Sequence, residues 1–538
     1  MTRRVDGGGS VSEAELNDAV PARAVAVSNP HEWAHHTAGP PQWLVDVRPD
    51  PPAAVRSATL WSVLATAVLS ALLLGEGSGL NLLIVAVPAA LGAYFAARAA
   101  GRTVRRWTVV WALGGPALLV IPALRDAGWP TFLAVVSAMA LGSFALHGSG
   151  SWPGVLFSPL GLLGSIGTGF GWAWSGVRER SGGARERWGP AVRTVLVAAV
   201  LLLVFGALFA GADAAFADLL GGLVPDFSVA DGPWRILLFL VGLVGALAAA
   251  RTAAAPLRWD RMRVRPGRSR GRAEWAVPLI VLDLLFAAFI AVQLAVLFGG
   301  YDKVLKETGL TYAAYARQGF WQLLWATVLT LAVIALALRW APRDRALVRS
   351  VLGTLCVLTL VVVASALRRM DLYVDAYGLT RLRISVAAME LWLGLVIVLI
   401  MAAGVWGARW LPRAVAASAA VAVLAFGLVS PDGLVAEQNV QRYQDTGKID
   451  IGYFQDLSAD AVPALDTLPE PERSCALAGI ADRFGSDGRG GTGKPWYATS
   501  LAESRARGIL RERPVDIDTE ACGRMGLYDV GRVGLGEY

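Results

Sequence analysis

Long apolar runs separated by short polar loops make up most of this chain. Eleven of them run Ser57 to Gly75, Leu80 to Ala97, Trp107 to Leu124, Trp129 to His147, Ala191 to Ala210, Trp234 to Ala250, Trp275 to Phe298, Phe320 to Leu338, Leu347 to Leu367, Ile384 to Val405 and Leu411 to Val429. A helix rising about 1.5 Å per residue needs roughly 17 to 25 residues to cross about 30 Å of hydrocarbon, and each run falls in that range. They are apolar on every face, whereas a β-barrel strand alternates, so the pattern predicts an all-α, polytopic transmembrane helix bundle.

The loops divide into two alternating sets. Arg98 to Arg106, Ser175 to Pro190, Arg251 to Ala273, Arg339 to Ala346 and Trp406 to Arg413 together carry 21 Lys and Arg, against 8 in the five loops between them. Basic residues collect on the cytoplasmic side, which predicts a cytoplasmic amino terminus and, after eleven crossings, an extracytoplasmic carboxyl terminus. Trp152 to Trp174 is uncharged and long enough to span. If it crossed, however, the eight-arginine loop from Arg251 would lie outside. Pro153, Pro159 and six glycines interrupt it as well, so an interfacial or re-entrant segment on the cytoplasmic face is expected. Three regions follow: a disordered cytoplasmic tail over 1–56, a membrane domain over 57–430, and a small helical extracytoplasmic domain over 431–538 with helical periodicity at Leu434 to Tyr443, Tyr453 to Leu468 and Leu501 to Arg511.

Composition sharpens this picture. Of 538 residues, 55% are hydrophobic and only 17% charged, which excludes an ordinary soluble enzyme. The net charge of +7 comes from arginines beside spans, so the expected contacts are anionic lipid headgroups of the cell membrane and not nucleic acid. Many of the tryptophans, including Trp61, Trp107, Trp129, Trp234, Trp275, Trp321, Trp340 and Trp410, sit at run ends as an interfacial belt would. Residues 1–56 lack the apolar core of a secretory signal, so the first span is expected to target the chain. With the tail outside, Cys475 and Cys522 become disulfide candidates, and two separate thiols is the other reading.

Candidate chemistry is sparse. His31-Glu32-Trp33-Ala34-His35 fits the zinc-protease pattern, but Pro30 precedes it, Gly39-Pro40-Pro41 follows, and it lies outside every span, so it reads as a chance match and no metal or cofactor is expected. Asp283, Gln293 and Glu390 lie within spans, where an ionised carboxylate is costly unless paired, protonated or wet. They are candidates for cation or proton binding. The structural alternative is that the carboxylates pair with Arg381, Arg383 or backbone and hold helices together. Gly211 to Pro233 carries four aspartates and no base, which suits a solvated outer loop.

Several patches are similar to one family. They are Leu208 to Asp213 with Phe216, Leu282 to Phe289 with Gln293 and Leu297 to Gly300, Tyr312 to Phe320, Arg369 to Tyr373 with Tyr377 to Thr380, Asn439 to Tyr443, and Asp456 to Pro463. In this order they resemble the bacterial multi-pass membrane family known as the domain of unknown function 4153/4173. The resemblance implies a multi-pass protein with an outward carboxyl-terminal tail, and implies no activity. It directs attention to Tyr312, Tyr315, Arg317, Arg369, Tyr373, Tyr377, Arg381, Asn439, Arg442 and Tyr443, all on the predicted outer side, as one polar and aromatic surface or as interfacial loop anchors. The first functional reading is a non-enzymatic, envelope-associated membrane protein whose partner is undefined. An ion-coupled transporter using Asp283, Gln293 and Glu390 is the alternative, and an enzyme acting on lipid-linked or envelope substrates is the third.

Overall fold

The computed structural model describes residues 42–180, 232–262, 267, 269–299, 320–342, 344–485 and 494–525, with isolated helical positions at 194, 198, 201, 205 and 209. The described residues from 46 onward form one compact unit. Among the described residues every regular element is a helix. In chain order these are α1 (Gln42–Val47), α2 (Ser57–Leu73), α3 (Asn81–Ala99), α4 (Arg106–Leu118), α5 (Ile121–Leu124), α6 (Gly128–His147), α7 (Trp152–Gly164), α8 (Ile166–Arg180), α9 (Gly232–Ala254), α10 (Arg272–Gly299), α11 (Phe320–Arg339), α12 (Arg345–Tyr377), α13 (Arg381–Trp406) and α14 (Leu411–Val429). Smaller carboxyl-terminal helices follow: α15 (Pro431–Thr446), α16 (Ile451–Phe454), α17 (Val462–Leu465), α18 (Glu472–Gly485), α19 (Leu501–Glu512) and α20 (Thr519–Arg524). Nine of the described helices are long and apolar enough to cross a membrane, taking α4 and α5 together, and α2 at 17 residues is slightly shorter. The chain is a multi-pass membrane protein.

Differences from the sequence pattern have local causes. The third run is broken at Leu119 and Val120, because Pro122 has no N–H to continue the ladder and instead begins a new turn. The ninth run continues for ten residues past Leu367 to Tyr377. Its polar extension carries an Arg368–Asp371 pair at 2.7 Å and packs on the carboxyl-terminal helices. Trp275 is turned inward, its Nε1 donating to the Ala337 carbonyl at 2.9 Å, instead of lying in the belt. Apart from the isolated positions already named, the run at 191–210, the acidic loop at 211–231 and the tail at 1–41 lie outside the described residues.

Packing follows the apolar faces. Helix α9 runs against α2 and α3, α4 against α6, and α14 against α6 and α13, while α10, α11, α12 and α13 form a second group. Small residues set the closest approach: a Cβ on Gly242 of α9 would lie 2.7 Å from Ser70 Cβ and 3.2 Å from Ala67 Cα of α2. Many large apolar side chains, among them Leu91, Leu113, Met139, Val241, Leu284, Leu329 and Val398, face outward, as a surface solvated by acyl chains requires.

Loop contacts gather at two ends. At the arginine-rich end, the Arg258 N–H donates to the Val47 carbonyl, Arg102 donates to the Ala253 and Leu146 carbonyls, and Arg272 pairs with Asp344. Helices α7 and α8, bent by 54°, make their polar contacts here. Ser143 donates to the Ser158 carbonyl, Thr252 Oγ1 donates to Ser165 Oγ at 2.8 Å, and Trp172 Nε1 donates to the Ala53 carbonyl at 2.9 Å. Ser143 lies in the last turns of α6, Thr252 in the last turn of α9, and Ala53 just before α2.

Residues 431–525 enclose a core of their own, with Val435, Phe454, Leu457, Leu465, Leu477, Ile480 and Ala506 buried together. Arg473, 1% exposed, sits inside it, donating to Asp466 at 2.8 Å, Glu470 at 3.1 Å and the Arg513 carbonyl at 2.7 Å. Cys475 and Cys522 form a disulfide with Cα atoms 5.5 Å apart, tying α18 to α20. Replacing both cysteines with serine is expected to weaken this region by about 2–4 kcal/mol. The measurement is faster proteolysis within residues 472–525 while the spans stay protected.

Candidate functional site

Hydrocarbon-embedded polar groups are the first place to look for function, because each must find a partner inside the protein. Glu390 on α13 is fully buried. Its Oε1 lies 3.1 Å from Thr327 Oγ1 on α11, and its Oε2 has no hydrogen-bond partner. Asp283 on α10 is 8% exposed, lies close to Cys356 on α12, and has an unpartnered Oδ1. Gln293, ten residues further along α10, accepts from Ser365 Oγ of α12 at 3.4 Å. All three residues therefore belong to the α10–α13 group, but each has its own neighbour and no bond joins the two carboxyls. Neither carboxylate meets Arg381 or Arg383, whose bonds lie elsewhere.

The surface expected at the other end is largely a joint. Helices α12 and α13 are connected by three residues, and the carboxyl-terminal helices grip that turn. Asn439 Nδ2 donates to the Leu379 carbonyl at 2.8 Å while its Oδ1 accepts from the Leu379 N–H at 3.1 Å. Arg381 forks onto Asp432 at 2.6 and 2.5 Å, and its Nη2 also donates to the Asp456 carbonyl. Arg442 donates to the Ala376 carbonyl at 2.8 Å, and Tyr443 donates to Glu472 at 3.1 Å. Tyr373 and Tyr377 meet edge to face, with Arg383 over the Tyr373 ring at 4.0 Å. Arg369 is half-buried and makes an interaction of its own. Tyr312, Tyr315 and Arg317 lie outside the described residues.

Two more loops join the same helices. Asp460 accepts from Arg125 at 3.3 Å and from the Asp126 N–H at 2.7 Å, and Asp126 accepts in return from the Ala459 N–H. Burial pushes the Asp460 carboxyl above its ordinary range, and the Asp126 N–H and Arg125 pull the other way. Gly79 lies against the 495–499 turn, where a Cβ would sit 2.9 Å from the Tyr497 carbonyl oxygen. Only glycine fits there.

The sequence model of the family described as Domain of unknown function (DUF4153) matches residues 112–468. The chain belongs to the DUF4153 family. No curated protein and no solved structure matches it. The DUF4153 match takes in Asp283, Gln293, Glu390, Arg381, Asp432 and Asp460, and ends before the disulfide. It begins well ahead of Leu208, where the sequence patches first show the likeness.

Sequence reasoning missed the DUF4153 residues that close the arginine-rich end. Asp260 accepts from the Gly150 and Ser151 N–H groups at 3.0 and 2.9 Å and from Ser151 Oγ at 2.8 Å, fastening the start of α7. Its signal was there to read: it is the one acid in a loop of eight arginines. Arg413 stacks over Trp107 at 5.4 Å beside Gly150. His147 is buried, with Nδ1 on Ser143 and Nε2 unpartnered. Among the described residues no three His, Cys, Asp or Glu gather as a metal site, and the His31, Glu32 and His35 pattern lies outside them.

Arg381→Ala would leave the buried Asp432 with one backbone donor, from Ser458. Because the Arg381 side chain is 44% exposed, the expected loss is modest, about 1–3 kcal/mol. It should appear as faster protease release of residues 431–525, and Arg381→Lys should rescue only part because an ammonium cannot fork.

Proposed function

We propose that this DUF4153 protein is a non-enzymatic membrane scaffold of the cell membrane, with a cytoplasmic amino terminus and a helical extracytoplasmic cap formed by residues 431–538. The observation that carries the reading is the joint just described: the polar side chains at that end, Arg381, Asn439, Arg442 and Asp460, seat the cap on two separate loops, and Gly79 brings a third against the 495–499 turn. A rigidly seated cap presents a partner-binding face at a set height above the bilayer. The orientation is supported by the arginine imbalance and by the Cys475–Cys522 disulfide, which suits an oxidising compartment. Those three loops, 76–79, 125–128 and 378–380, all belong to the arginine-poor set. Helices α7 and α8 are read as re-entrant on the cytoplasmic side, since their polar contacts stay at the arginine-rich end and Leu156, Leu160, Leu163 and Trp174 are turned outward. With a crossing at 191–210, eleven spans result, and the arginines opposite the cap meet anionic headgroups.

Cysteines placed at the exposed Lys448 and Arg409 test this topology. A membrane-impermeant maleimide added to intact cells should label Lys448→Cys and spare Arg409→Cys, and the reverse pattern would overturn the orientation.

A second reading, an ion-coupled permease, is favoured by the orphaned carboxyl oxygens of Asp283 and Glu390. It predicts a proton- or sodium-driven flux in proteoliposomes that Asp283→Asn reduces at least tenfold. Equal flux in empty vesicles would dismiss it.

A further inference from the structure

The surroundings of Glu390 specify its protonation state. Thr327 Oγ1 lies 3.1 Å from both the Glu390 Oε1 and the Leu323 carbonyl oxygen, yet a hydroxyl has a single proton to give. If Glu390 were ionised, that proton would be its sole hydrogen bond from the protein, and Oε2 would hold charge in a buried interior with no protein donor. A carboxylate normally needs several donors, and leaving a charge unpaired there costs far more than leaving a neutral carbonyl bare. If Glu390 is neutral, its O–H donates to Thr327, Thr327 donates back to Leu323, and both short contacts are satisfied in one chain of bonds. Only Oε2 is then bare, as a carbonyl oxygen. A bound divalent cation is a poorer occupant, because it wants six or more oxygens and this spot offers a carboxylate and one hydroxyl.

No charged group of the neighbouring helices is bonded to Glu390. Against α13 pack α11, α12, α14 and α15. Their ionisable groups lie toward the helix ends: Arg339 on α11; Arg345, Arg349, Arg368, Arg369, Asp371 and Asp375 on α12; Arg413 on α14; Asp432, Glu437, Arg442, Tyr443 and Asp445 on α15. Cys356, Tyr373 and Tyr377 complete the set on α12, and no bond joins any of these to Glu390. The nearest in depth is Arg368, whose side chain is exposed and paired with Asp371 at 2.7 Å. Val363 lies 3.2 Å from the Cβ position of Gly394, which is one turn along the same face of α13 as Glu390. In an antiparallel pair this puts Leu367 about level with Glu390, and Ser365, two residues further from the α12–α13 turn, is the residue bonded to Gln293.

We propose that Glu390 is a proton-binding site within the membrane, neutral at physiological pH. The proposal deepens the permease reading, but its test does not use flux, so the two can fail separately. The full-length protein in lipid nanodiscs is exposed to dicyclohexylcarbodiimide, which adds to protonated carboxyls in apolar surroundings, and the adduct is mapped by mass spectrometry. Infrared difference spectra are recorded in parallel on the same sample. The expected result at neutral pH is an adduct on the peptide containing Glu390 and a protonated-carboxyl band that Glu390→Gln removes. Thr327→Val should shift that band, which keeps the assignment secure if Glu390→Gln does not fold. An unmodified Glu390 peptide, or a protonated-carboxyl band unaffected by either substitution, overturns the proposal.

Discussion

Hydrocarbon supplies no hydrogen-bond partner, so every polar group carried into it must be satisfied by the protein, and the architecture follows from that demand. Helices settle the backbone. Side-chain hydroxyls are then settled one turn back: Ser62 on Ala58, Thr66 on Ser62, Ser70 on Thr66, Thr330 on Ala326 and Thr359 on Leu355 all donate to the carbonyl four residues earlier. Asp283 Oδ1 and Glu390 Oε2 depart from that pattern, as does the buried Thr59 Oγ1.

The two ends of the bundle solve a different problem. Where chain leaves hydrocarbon, loop backbone must be fixed or left to water, and here it is fixed by carboxylates. Asp260 gathers the 148–151 loop at one end, and Asp432 and Asp460 gather the 378–381 and 125–126 segments at the other. One carboxylate accepts several bonds, so a single residue orders two segments distant in sequence. The arginines contribute to topology by their number and to architecture by their individual geometry, as Arg381 does with its fork and Arg102 with its two carbonyls.

Much of the membrane part was legible because hydrophobic length is a local property. Ten of the eleven runs coincide with described helices within a few residues, apart from the polar extension of α12, and the eleventh lies outside the described residues. The carboxyl-terminal part was less legible. Leu434 to Tyr443 and Leu501 to Arg511 sit within α15 and α19, but Tyr453 to Leu468 is broken into short turns around Pro463, and Glu472–Gly485 carried too mixed a pattern to stand out. Its interior is built around a buried arginine, which no rule of apolar periodicity anticipates.

By itself the sequence determined that this is a helical membrane protein of the DUF4153 type, which residues are greasy enough to cross, and which few polar residues are carried in with them. Those are matters of transfer free energy, summed along the chain one residue at a time. What only the tertiary structure decided is which groups meet: that Glu390 faces Thr327 while Asp283 faces Cys356, that Arg381 is spent on Asp432, and that Cys475 reaches Cys522. Such pairings join residues dozens of positions apart, and they depend on helix rotation and crossing, which a linear pattern leaves free.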